Sequence, residues 1–151
     1  MKGQPDPVTI RDLTAEAGPA LVPLLAELGY PADAVTATGR LHALFAADPS
    51  ARIIGAYDAS GVLLGFAALH ETPVPHRATP VARITALAVL HSAQGSGAGR
   101  ALVEAAEAHF RDRGLTRLEV TSGPIHAAAH DFYRHLGYAD QGIRFAKELT
   151  K

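Results

Sequence analysis

The 151-residue sequence contains no cysteine, which removes disulfides, thiolate zinc sites and a cysteine nucleophile together. Lysine is almost missing: none occurs between Lys2 and Lys147. A nucleotide P-loop, which needs a Gly-Lys-Ser/Thr ending, is excluded with it. No charge of one sign prevails either. Lys+Arg total 14 against 15 Asp+Glu, a formal net charge of −1, so there is no basic field to make nucleic acid or an anionic membrane a main partner. Long apolar runs are absent as well. The opening MKGQPDPVTIRD has no apolar core of signal-peptide length, and no later run approaches membrane-spanning length. Together these absences predict a cytoplasmic protein.

What is present is 48% hydrophobic and 19% charged residues, the balance of a soluble globular chain. The length suits one domain over residues 1–151 with a full core. Arginine outweighs lysine and alanine is abundant, a composition that points to a GC-rich bacterial genome. Residues 8–12 alternate as a strand, and Thr14 caps a helix predicted over 15–28. A second helix over 32–47 carries Val35, Leu41, Leu44 and Phe45, and Asp48-Pro49 ends it. Residues 51–58 and 62–71 form a hairpin around Ala59-Ser60-Gly61. After a proline-rich loop, 81–90 (VARITALAVL) is a near-continuous apolar run, as in a strand covered on both faces. Helix over 100–113 places Leu102, Val103, Ala106 and Phe110 on one side, and Gly114 stops it. Strand over 115–121, helix over 125–136 and a short strand over 145–149 complete an α+β order with one strand–loop–helix–strand crossover.

Between the buried strand and the helix lies Gln94-Gly95-Ser96-Gly97-Ala98-Gly99. At a helix N-terminus main-chain N–H groups are free and the dipole is positive, so phosphate is the natural ligand. Missing side chains let an anion approach the main chain, although glycines also serve a loop that simply needs positive φ. A dinucleotide fold would want an acidic residue about twenty positions on. Glu119 lies near that distance, but the first strand of such a domain does not follow two helices and a hairpin.

The stretch LAVLHSAQGSGAGRALVEAAEAHFRDRG (87–114) resembles the acetyl-coenzyme A motif of the GNAT superfamily of N-acetyltransferases, Gln/Arg-x-x-Gly-x-Gly/Ala, through Gln94, Gly97 and Gly99. HAAAHDFYRHLGY (126–138) resembles the second signature of that family through Ala129, Phe132, Tyr133, Gly137 and Tyr138. The resemblance spans essentially the whole chain. It implies a GNAT-type mixed, mostly antiparallel sheet of six to seven strands flanked by about four helices, with a central splayed pair of parallel strands. It implies acetyl-CoA as co-substrate, with the pyrophosphate on the main chain of Gln94, Gly95, Ser96, Gly97, Ala98, Gly99 and Arg100 and the pantetheine beside Leu87, Ala88 and Val89. His126 stands where relatives often carry an asparagine that contacts the cofactor. Tyr133 matches the usual acid for the leaving thiolate; packed beside Phe132 and Leu136, it is otherwise a core tyrosine.

The implied reaction is direct attack by a primary amine, of a small molecule, on the thioester. The alternative is a non-catalytic acyl-CoA-binding sensor or interaction module of the same fold. Thr85 favours that alternative, because it replaces a glutamate that often acts as base. Glu71, Glu119, His70, His76 or solvent could take that role. His126 and His130, at i and i+4, offer two ligands on one helix face, but without a third no metal site is predicted. Homodimers are common for this fold, and no stretch here specifies an interface.

Overall fold

The computed structural model describes residues 7–121, 127–142 and 144–149, and the chain divides into two compact units, Met1–Thr121 and Ser122–Lys151. The first unit is a five-stranded sheet with helices on both faces. Strand β1 (Thr9–Leu13) leads into a short 3-10 turn capped by Thr14, whose hydroxyl accepts from the Glu16 N–H at 3.3 Å. Helix α1 (Gly18–Glu27) follows, with Pro19 in its first turn, where no N–H is needed. Helix α2 (Ala34–Ala47) is capped by Asp33, which accepts from the Thr36 N–H at 2.7 Å.

The hairpin of β2 (Arg52–Tyr57) and β3 (Leu63–Thr72) turns where predicted. Asp58 accepts from the Ser60 and Val62 N–H groups there, and Gly61 takes φ +86. Strand β4 (Val81–Val89), helix α3 (Ala98–Asp112) and strand β5 (Leu118–Val120) form the crossover. The sheet order is β1-β2-β3-β4-β5, antiparallel except for the parallel β4–β5 pair. Parallel neighbours need a crossover connection, and α3 supplies it.

Two apolar clusters divide the sheet faces. On one face Ile54, Leu69, Ala82 and Ile84 pack with Leu102, Ala106 and Phe110 of α3. On the other, Leu13, Ile53, Phe66, Ala68 and Ala88 pack with Leu21 and Leu24 of α1 and Leu41 of α2. The α3 spacing read from the sequence is therefore the core spacing. On α2 Val35 is 83% exposed, while Ala37 and Leu41 are buried. Val35 lies six residues from Leu41, which on a helix is about 240° round the axis and off the buried stripe.

The second unit holds helix α4 (Ala127–His135), ended by Gly137 at φ +93. The Tyr138 N–H returns to the Tyr133 carbonyl at 3.0 Å, the hydrogen bond of a glycine C-cap. The expected strand over 145–149 does not form, and among the described residues the sheet has five strands rather than six to seven. Residues 144–149 are exposed and lie outside regular structure, with Phe145 and Leu149 at 88% and 90% exposure. In a strand one face would read Phe145, Lys147, Leu149 and the other Ala146, Glu148. Neither is a continuous apolar face that a sheet could bury.

Candidate active site

The glycine loop leaves β4 through a 3-10 turn at His91–Ala93. Its start is held by α1: the Glu27 carboxylate accepts from the His91 N–H at 3.1 Å. Gly95 and Gly97 then take φ +84 and +89, and Gly97 caps α3 without any side-chain hydrogen bond. A methyl group at either glycine would meet nothing within 4 Å, so backbone handedness, not crowding, requires glycine there. Ser96 turns its hydroxyl onto the Ala98 N–H at 3.3 Å. Among the described residues the N–H groups of Gly95, Gly97, Gly99 and Arg100 find no acceptor in the protein. Gln94 and Arg100 are exposed beside them, and Arg100 pairs with Glu104 at 2.9 Å. The loop thus presents an open array of donors at the positive end of a 15-residue helix, suited to a polyanion.

Strand β4 continues this surface. It pairs with β5 only from Ala82 to Ile84, whereas its pairing with β3 runs on to Val89. The Leu90 N–H donates to the Leu64 carbonyl at 2.8 Å, which sets the alternation of the antiparallel ladder. Ala88 consequently faces Phe66 in a hydrogen-bonded pair, while the main-chain groups of Leu87 and Val89 point away from β3. They lie on the side that β5 has already left. Ala88 instead gives its main chain to β3 and its methyl to the α1–α2 cluster. One step earlier the register slips between Ala68 and Leu69, so that Thr85 is an extra residue on β4. Thr85 is also the one residue of that strand in the exposed range.

In the second unit Tyr133 is half-buried, with edge contacts to Phe132 (5.2 Å between centroids) and Tyr138 (5.9 Å). Burial pushes its phenol up to about 12. Such a group keeps its proton throughout the physiological range. His126 lies outside the described residues, and among those described no cluster of three or more His, Cys, Asp or Glu is placed to hold a metal.

Residues 19–138 match the acetyltransferase (GNAT) family. The chain belongs to that family. Over 87 residues it is 38% identical to a mycothiol acetyltransferase of Salinispora tropica, an alignment covering 56% of this chain and 27% of that protein. The chain thus spans about a quarter of the length of this curated relative. Its fold is that of a ribosomal-protein-alanine N-acetyltransferase from Brucella melitensis biovar Abortus 2308, with TM-score 0.79 at 20% identity over 95% of this chain and 100% of the other. An aminoglycoside acetyltransferase from an uncultured soil metagenomic sample, in complex with sisomicin, superposes with TM-score 0.74 at 18% identity, covering 95% and 97%.

Within this GNAT chain the candidate bases occupy different environments. Glu71 has a side chain only 10% exposed and is clamped by both Arg113 nitrogens, Nε and Nη2. It belongs to a separate cleft with Asp12, Arg52 and His109, near the C-terminal end of α3. Twelve residues of helix, about 18 Å, separate His109 from Gly97. In that cleft burial, and then Arg52, hold the His109 imidazole below its ordinary value. Glu119 accepts from Arg117 at 2.8 Å, a hydrogen bond that lowers its carboxyl and makes it a poorer base. His76 sits exposed in the loop between β3 and β4, with nothing among the described residues orienting it.

His70 differs from all three. Its Nδ1 lies 2.7 Å from Asp48 Oδ2, with the imidazole 14% exposed. In the sequence Asp48 is only a helix stop; Asp-Pro after an apolar helical run carries no signal for its second task. Its Oδ1 accepts from the Ser50 N–H and hydroxyl at 2.9 and 2.7 Å. The hydrogen bond from His70, and then those from Ser50, hold the Asp48 carboxyl below its ordinary value. Among the described residues no helix is long and apolar enough to cross a membrane.

Proposed function

We propose that residues 1–151 act as one N-acetyltransferase domain in the cytoplasm, moving an acetyl group from acetyl-CoA to a primary amine of a small molecule by direct attack. The observation that carries this reading is the open donor array at Gly95, Gly97, Gly99 and Arg100, adjoining a strand whose parallel partner has ended. The array suits the pyrophosphate of coenzyme A, with Gln94, Ser96 and Ala98 completing the loop. The free main-chain groups of Leu87 and Val89 suit the pantetheine amides and, at the thioester, the developing oxyanion. This chemistry asks for geometry more than for side chains, which explains an alanine-rich site. The amine nitrogen attacks the carbonyl carbon, the C–N bond forms as the C–S bond breaks, the thiolate takes a proton from the Tyr133 phenol, and the proton shed by nitrogen leaves to solvent, from which the phenol is reprotonated.

Small-molecule acceptors are favoured by the match to an aminoglycoside acetyltransferase with sisomicin bound. The match to a ribosomal-protein-alanine N-acetyltransferase makes an alanine-terminated peptide the natural rival. Thr85 supports a second reading, an acyl-CoA-binding module without turnover. Thiol release from acetyl-CoA, measured with sisomicin, other amines and an alanyl peptide, separates them. Amine-dependent release is expected. Stabilisation by coenzyme A with no release for any acceptor would sink the enzymatic reading and leave the binding module.

A further inference from the structure

We propose that His70, oriented by Asp48, is the general base that takes the proton from the attacking amine. The inference rests on the acetyl-transfer reading above and supplies the group that Thr85 cannot.

The faces of β3 decide between adjacent residues. Glu71 meets Arg113, just beyond the end of α3, and so faces the α3 layer. His70 meets Asp48, at the end of α2, and so faces the α1–α2 layer with Phe66 and Ala68. Successive strand residues point to opposite faces, so these two assignments agree. His70 stands opposite Arg83 on β4, and Thr85 is two residues further along that strand. Ile84 packs on the α3 side, which turns Arg83 to the face of His70, and the bulge residue Thr85 follows where the alternation breaks. The bulge adjoins the Leu69–Ile84 pair, one pair on from His70–Arg83, so His70 stands beside the opening in the ladder. The exposure of Thr85 makes this the point where β4 is open to an acceptor.

Asp48 sets the ring chemistry. Its carboxylate has only acceptor sites, and it already takes two hydrogen bonds from Ser50. The proton shared with His70 therefore sits on Nδ1, and Nε2 keeps its lone pair for a proton. The hydroxyl of Ser50, whose proton goes to Asp48, fixes the arrangement further by accepting from the Glu71 N–H at 3.0 Å. The charged groups facing the imidazole are Asp48 from the end of α2 and Arg83 from β4. In the reaction the amine lone pair forms the C–N bond and the C–S bond breaks. The proton lost from nitrogen passes to Nε2, directly or through one water, and then to solvent.

The test compares His70→Asn with His70→Ala, using sisomicin and an alanyl peptide as acceptors. Asparagine keeps a donor near the Nδ1 position for Asp48 but has no Nε2. For a base, both variants lose turnover by roughly 10²-fold or more. KM for acetyl-CoA stays unchanged, and added imidazole restores turnover to His70→Ala. For a tether alone, His70→Asn keeps wild-type turnover and imidazole rescues nothing; either result overturns the proposal. Wild-type protein that acetylates no acceptor would instead overturn the transferase reading and this inference with it. Ring 15N shifts give a separate check: a neutral His70 ring that carries its proton on Nε2 also overturns it.

Discussion

Tyr133 shows how much a single residue owes to its immediate surroundings. Two aromatic rings and a return hydrogen bond from Tyr138 hold it in the last turns of α4, and burial raises its phenol to about 12. The unfolded chain loses the same proton near 10. Between those values the unfolded state is ionised and the folded state is not, so the stability linked to this group is whole below pH 10 and falls as pH rises towards 12. The melting temperature of wild type is expected to drop more steeply than that of Tyr133→Phe between pH 10 and 12. Absorbance titration at 295 nm should lose its highest-pH component in the variant. Parallel curves would show an ordinary, solvated phenol. At the glycine loop, by contrast, side chains matter by their absence: left-handed backbone at Gly95 and Gly97 turns N–H groups outward that any L-residue would hold at a cost of about 1–2 kcal/mol.

At the scale of elements, the pairing of β3 with β4 is the frame of the site. A Cβ on Gly65 would stand 2.7 Å from the Ala88 carbonyl oxygen, which is backbone and cannot swing aside. On Gly55 the nearest atom, also at 2.7 Å, is the tip of the Leu63 side chain, which can rotate away. Gly65→Ala is therefore expected to push the strands apart beside Val89. It should cost about 1–3 kcal/mol, as overpacking of a core does, and weaken acetyl-CoA binding. Gly55→Ala should cost less and leave binding unchanged. Thermal melts with and without acetyl-CoA check both, and equal ligand-induced shifts in the two variants would contradict the placement of the cofactor along β4. These elements were largely legible beforehand. Alternation marked the hairpin, Thr14 and the Asp48-Pro49 break bounded helices, and the 3–4 spacing of α3 named its buried face. The strand expected over 145–149 fails because Phe and Leu flank a lysine on one face, a short-range composition that does not report whether a sheet edge accepts it.

Across the whole molecule, carboxylates join segments distant in sequence. Glu71 reaches Arg113, Asp48 reaches His70, and Arg52 reaches Asp12. The carboxyl of Asp48 is lowered by His70 and that of Glu119 by Arg117. Lowered groups add stability that is present above the ordinary carboxylate value near 4 and lost as pH falls through their folded values. Melting temperature is expected to fall between pH 5 and 3, with a shallower slope in Asp48→Asn followed by circular dichroism; an unchanged slope would remove Asp48 from the account. The sequence by itself determined the crossover, the glycine loop, the Phe-Tyr signature and hence the family, because each is written in residues adjacent along the chain. Only the tertiary structure decided that β4 and β5 part after Ile84, that Glu71 is locked to Arg113 on one face, and that His70 is held by Asp48 on the other. Those outcomes depend on partners 22 and 42 residues apart, and no local period or cap encodes which side of a strand such a partner reaches.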